Sequence, residues 1–151
     1  MNKLINLVCL LLFISCNSTK EQNTKKVHTI STPIAKTKHE TFAYQEGDTT
    51  YIMQKYFLVL LKKGENRNHS KEETAEIQKK HLAHIAWLDK TGKISLAGPS
   101  ENHKTISGFL LFNTETLEEA DSLANLDPAV KAGRLAVETL PWWAAKGSRL
   151  K

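Results

Sequence analysis

Two runs, YIMQKYFLVLL at Tyr51–Leu61 and ISGFLLFN at Ile106–Asn113, carry apolar residues at successive rather than alternate positions. Aromatic and β-branched residues recur in them and polar or glycine-bearing sequence bounds them, which marks both as strands. Neighbouring side chains of a strand point to opposite faces, so a sheet built on these runs is apolar on both sides. Helices can cover one face. The other needs an apolar partner of its own, and a second copy of the same sheet is the simplest.

The rest of the chain supplies the helices. Ser70 with Glu73 three residues on forms a capping box, predicting a helix over Lys71–Lys90 that closes at Gly92, the residue type that accepts a left-handed C-terminal conformation. A strand is expected at Lys93–Ala97, ending in the turn pair Gly98 and Pro99, followed by the strand at Ile106–Asn113. Thr116 with Glu119 repeats the box and opens a short helix to Asn125. Asp127, Pro128 and Gly133 then frame a tight turn: an N-cap side chain, a proline at the first helical position and a glycine exit. Arg134–Leu140 reads as the last strand. The order strand, helix, strand, strand, helix, strand predicts an α+β fold of ferredoxin-like βαββαβ type, with helices on one face of an antiparallel sheet.

The N-terminal third is different in kind. Met1–Cys16 reads MNKLINLVCLLLFISC: a basic Lys3, an apolar run from Leu4 to Ile14, then Ser15 before Cys16. This is signal-peptide grammar, and the run is shorter than the roughly 20 residues of a permanent span. Phe13, Ile14, Ser15 and Cys16 resemble the lipobox of bacterial lipoproteins, with Phe where Leu is usual. The expectation is a signal over residues 1–15, lipidation at Cys16, a polar tether over 16–50 and a domain over 51–151, exported and held on a cell or outer membrane. Within the tether, Phe42, Ala43 and Tyr44 have the apolar surface to dock locally. Cys9 leaves with the signal, so no disulfide is available to the mature chain.

The formal charge of +5 comes from lysines scattered along the chain, several beside acids. No basic stripe interleaved with aromatics occurs, and no nucleic-acid partner is expected. Glycine-rich phosphate loops, nucleophile elbows and paired-carboxylate signatures are absent from the sequence, as are CxxC spacings.

One feature of the long helix stands out chemically. With Ile77 at zero and about 100° per residue, Leu88 falls at roughly 20°, His81 at roughly 40°, Ile85 at roughly 80° and Leu82 at roughly 140°. His81 therefore lies inside the apolar arc, His84 at its edge and Trp87 away from it. A buried imidazole needs partners for its nitrogens, and Asp127 is the candidate: a carboxylate there orients the ring and raises its basicity. The same two residues also satisfy a purely structural reading, a core histidine and an N-cap aspartate. His81 and His84 lack a third ligand at metal spacing, so no metal is expected.

The stretches HLAHIAWLDKTGKISLAGP, DPAVKAG and ETLPWW, in this order, resemble the YCII-related (YciI-like) family over about Tyr56 to Trp143. The resemblance implies a dimeric α/β barrel, two ferredoxin-like protomers packed sheet to sheet, a fold also found in muconolactone isomerase and in a dehydrochlorinase of chlorinated hydroxyquinols. It implies a His-Asp dyad lining a pocket, which falls on His81 and Asp127, with Gly98 and Pro99 at the AGP turn and Gly133 after the DP turn. The implied activity is cofactor-independent lyase- or isomerase-type proton transfer on an unknown small molecule. A non-catalytic small-molecule-binding or structural dimer stands beside it.

Overall fold

The computed structural model describes residues 39–150. Its elements run β1 (Thr41–Glu46), β2 (Thr49–Lys63), α1 (Lys71–Lys90), β3 (Ile94–Pro99), β4 (Ile106–Phe112), α2 (Leu117–Asn125), α3 (Pro128–Lys131) and β5 (Leu135–Ala145). All pairings are antiparallel: β1 pairs with Thr49–Gln54 of β2, β4 with Phe57–Lys62 and β5 with Met53–Lys63, while β3 pairs with β4. Without β1, the order β5-β2-β4-β3 is that of the ferredoxin-like α+β fold. The expected signal segment, Cys16 and the tether as far as residue 38 lie outside the described residues.

The N-terminal boundary of the folded part differs. The polar tether was expected to run through residue 50, yet its last part, Thr41–Glu46, is a strand paired with Thr49–Gln54 across a two-residue turn at Gly47 and Asp48. Composition argued against order there because few apolar residues are available. What offsets that is partnership: β2 starts before the core sheet does and offers a free ladder, and Phe42 sets its ring edge-on to Trp143 with centroids 4.8 Å apart. His39 Nδ1 donates to the Thr114 carbonyl at 3.1 Å, and Glu40 pairs with Lys55.

The helix-side face of the sheet carries Phe57, Val59, Leu61, Leu110 and Phe112, packed with Leu88, Ala120 and Ala124. Full burial of each large side chain among these contributes about 1.5–3 kcal/mol. The capping box at Ser70 and Glu73 is present in both directions, and Gly92 leaves α1 at φ 69. β5 continues past the expected Leu140 to Ala145. Among the described residues it pairs with β2 alone, and proline at position 141 is tolerated in such an edge strand.

By register, the face turned away from the helices joins Leu58 with Leu111 and Leu140, and Leu60 with Phe109. Phe109, Leu140 and Trp142 remain 38%, 39% and 45% exposed. The sheet thus presents an open apolar face.

Candidate functional site

The site begins with a helix and a turn that hold one side chain each. His81 lies on the inner side of α1 and is 8% exposed; Asp127 caps α3 and is 1% exposed. His81 Nδ1 and Asp127 Oδ2 are 2.6 Å apart. Asp127 Oδ1 accepts from the Ala129 backbone N–H at 2.7 Å, so the carboxylate is held from both ends. Because an ionised carboxylate only accepts, the Nδ1 facing it carries the hydrogen, and the neutral ring then presents a lone pair at Nε2. That nitrogen has no protein partner among the described residues and is not sealed from solvent.

His81 lines a cavity of about 500 Å³ between α1, the β3–β4 end of the sheet and the turn leading to β5. Leu82, Ile85, Leu110 and Leu135 supply apolar wall; Gln78, Ser107, Arg67 and Arg134 supply polar groups. Ser107 sits at a β-bulge, where the register between β2 and β4 shifts after Leu61, the kind of irregularity that re-aims a side chain. Gly98 and Pro99 also line the cavity. Gly133 does not; at φ 71 it turns the chain so that the next residue, Arg134, does.

His84 does not join this group. Its Nε2 donates to the Leu123 carbonyl at 3.0 Å and its ring stacks on Trp87 at 5.6 Å. The two histidines thus turn their nitrogens to different partners, and the described residues contain no cluster of three or more potential metal ligands.

Arg67 and Arg134 are absent from the residues that periodicity and turn grammar single out. Their signal was rarity: the chain has three arginines, Arg67, Arg134 and Arg149, among 21 basic residues. Arginine in place of lysine favours planar, two-pronged recognition of oxyanions.

The profile of the YCII-related domain matches residues 56–143, more than half of the chain. No curated protein matches it. Among solved structures it is similar to 5-chloro-2-hydroxyhydroquinone dehydrochlorinase from Burkholderia phenoliruptrix in complex with 2,5-dihydroxybenzoquinone. The identity is 26%, the match covers 58% of this chain and 92% of that one, and the TM-score is 0.45.

Proposed function

The chain belongs to the YCII-related domain family, and from that premise we propose that it is a small-molecule-processing domain in which His81 exchanges a proton with a compound held in the cavity. The observation that carries this reading is the 2.6 Å bond from His81 Nδ1 to Asp127 in a histidine that lines the cavity and whose Nε2 has no protein partner among the described residues. Asp127 fixes the ring and stabilises the imidazolium formed when Nε2 takes a proton. The reaction class is proton abstraction coupled to isomerisation or elimination, and none of its steps requires an organic cofactor or a metal.

Around that site the proposal includes an exported chain, anchored through a lipid on Cys16 after the Leu4–Ile14 run, and a homodimer formed by the open sheet face. The two-sided apolar strands and exposed Phe109, Leu140 and Trp142 support the dimer. Cys16→Ser releases such a protein from membranes; unchanged membrane association rules the anchor out.

A second reading has its own support. Asp127 also caps α3 through Ala129, so the pair has structural work to do in a domain that only binds. The two readings separate by incubating the protein in D2O with small cyclic ketones, lactones and phenols and following deuterium incorporation by NMR, with His81→Gln alongside. Catalysis predicts incorporation that a folded His81→Gln protein loses. Equal incorporation by both proteins leaves only the binding role.

A further inference from the structure

Among the described residues, the cavity wall contains two arginines and no acidic residue. Neither Arg67 nor Arg134 makes an ion pair or a side-chain hydrogen bond among the described residues, although acids elsewhere are taken up by Lys55, Lys62, Lys80 and Lys93. Asp127 is committed to His81 and to the α3 backbone.

The two arginines are also brought together by design of the backbone. Gly64 N–H donates to the Arg134 carbonyl at 2.8 Å, and Asn66 N–H to the Gly133 carbonyl at 3.0 Å. Asn66 Nδ2 adds a bond to the Ala132 carbonyl at 3.2 Å, while Arg134 N–H is bonded to Ala129 at 3.0 Å. The loop carrying Arg67 is thus laced to the turn carrying Arg134, and that turn starts from the residue that orients His81. Guanidinium groups keep their charge in any protein setting, so two of them lining one cavity favour an anion there.

The geometry points to an organic anion as the ligand: a cyclic or aromatic compound bearing a carboxylate, or an ionised phenol or enol oxygen, seated on Arg67 and Arg134. Leu82, Ile85 and Leu135 contact its apolar body. This assignment rests on the reading of the cavity as a ligand site and adds a chemistry to it. When His81 Nε2 takes a proton from a carbon beside a carbonyl, the C–H bond breaks, an N–H bond forms and the electron pair passes to the carbonyl oxygen as an enolate. The arginines offset that charge in the same pocket.

The test measures binding of benzoate, salicylate and neutral benzamide to the full protein by calorimetry and thermal shift. It is repeated on Arg67→Gln, Arg134→Gln, Arg134→Lys and His81→Gln, with inorganic sulfate as a further probe. Benzoate or salicylate is expected to bind and benzamide to bind at least tenfold more weakly. Each Arg→Gln variant, folded by its melting temperature, is expected to weaken the anion by roughly tenfold to hundredfold, with partial recovery in Arg134→Lys. Binding retained by His81→Gln, together with lost deuterium exchange, separates the anion seat from the proton-transfer role; retained binding with no exchange in the native protein overturns the catalytic reading alone. Benzamide binding as tightly as benzoate, sulfate stabilising as well as benzoate, unchanged binding in both Arg→Gln variants, or no binding of either anion at 10 mM (about the weakest affinity worth the name) overturns the assignment.

Discussion

Asp127 Oδ2 lies 2.6 Å from His81 Nδ1 across 46 residues of sequence, while its other oxygen caps α3 at Ala129. One carboxylate therefore serves a ring and a helix terminus. Removing its charge and removing the side chain are expected to give different phenotypes.

Asp127→Asn keeps an acceptor for the Ala129 N–H and leaves the fold nearly as stable, but it weakens the hold on the ring and its tautomer. Any proton-transfer activity is expected to fall by roughly a hundredfold or more. Asp127→Ala leaves His81 Nδ1 and the α3 cap unsatisfied, a cost of about 1–3 kcal/mol in chemical denaturation. Equal stability of the two variants contradicts the double role.

Gly64 tests the corner that delivers Arg67. A Cβ built there meets the Gly133 carbonyl oxygen at 2.1 Å and the Gly133 and Arg134 carbonyl carbons at 2.8 Å, all backbone atoms that cannot swing aside. Gly64→Ala is expected to pull the loop off the Gly133–Arg134 turn, lowering stability by about 1–3 kcal/mol and weakening benzoate binding. The His81–Asp127 pair lies on other elements and should persist, seen as an unchanged downfield imidazole N–H resonance. A variant with native stability refutes the close approach.

Acid stability has a predicted sign. The Lys93 ammonium, bonded at 2.6 Å, holds the Glu119 carboxyl below its ordinary value of 4.5, against burial that opposes it; the Glu115 N–H helps. Ser70 does the same to Glu73, chiefly through its backbone N–H. A carboxyl depressed in the folded state stabilises fully above its unfolded value and loses that contribution as pH falls from about 4.5 through the folded value. Melting temperature should therefore decline below about pH 4.5, and Glu119→Gln should flatten part of the decline. At neutral pH that variant costs under about 1 kcal/mol, because both partners are a third or more exposed. An acid limb identical in both proteins removes Glu119 from the account.

Leu140 and Trp142 stand on the open sheet face, 39% and 45% exposed. If that face pairs with its copy, the double variant Leu140→Glu, Trp142→Glu folds but runs as a monomer by light scattering. Mutating the helix side instead, as in Leu88→Ala, is expected to cost about 2–5 kcal/mol within each protomer. An unchanged mass for the double glutamate variant places any dimer interface elsewhere.

Much of this protein is legible residue by residue. The bounds of α1 follow from Ser70, Glu73 and Gly92, all acting within a turn of the helix ends, and the structure reproduces them at Lys71–Lys90. The helical wheel puts His81 inward because a 3.6-residue period is local geometry. Thr41–Glu46 is not legible in this way, since the Phe42 ring contact is with Trp143, about a hundred residues on, and composition carries no record of that partner. β5 outruns Leu140 for a related reason: proline donates nothing to a ladder, and only its place in a strand at the sheet edge lets Pro141 continue it.

By itself, the sequence determined what depends on neighbours along the chain: the capped helices, the two-sided apolar strands, the βαββαβ order, and a histidine on the core side of its helix. Tertiary structure decided which distant groups meet. It carried Asp127 to His81, added β1 to the sheet, and laced the Arg67 loop to Arg134 through backbone hydrogen bonds that any side chains could have flanked. Backbone donors and acceptors are the same at every residue, so no periodicity announces which of them will pair. The two arginines at the cavity become visible only once those pairings have closed the fold.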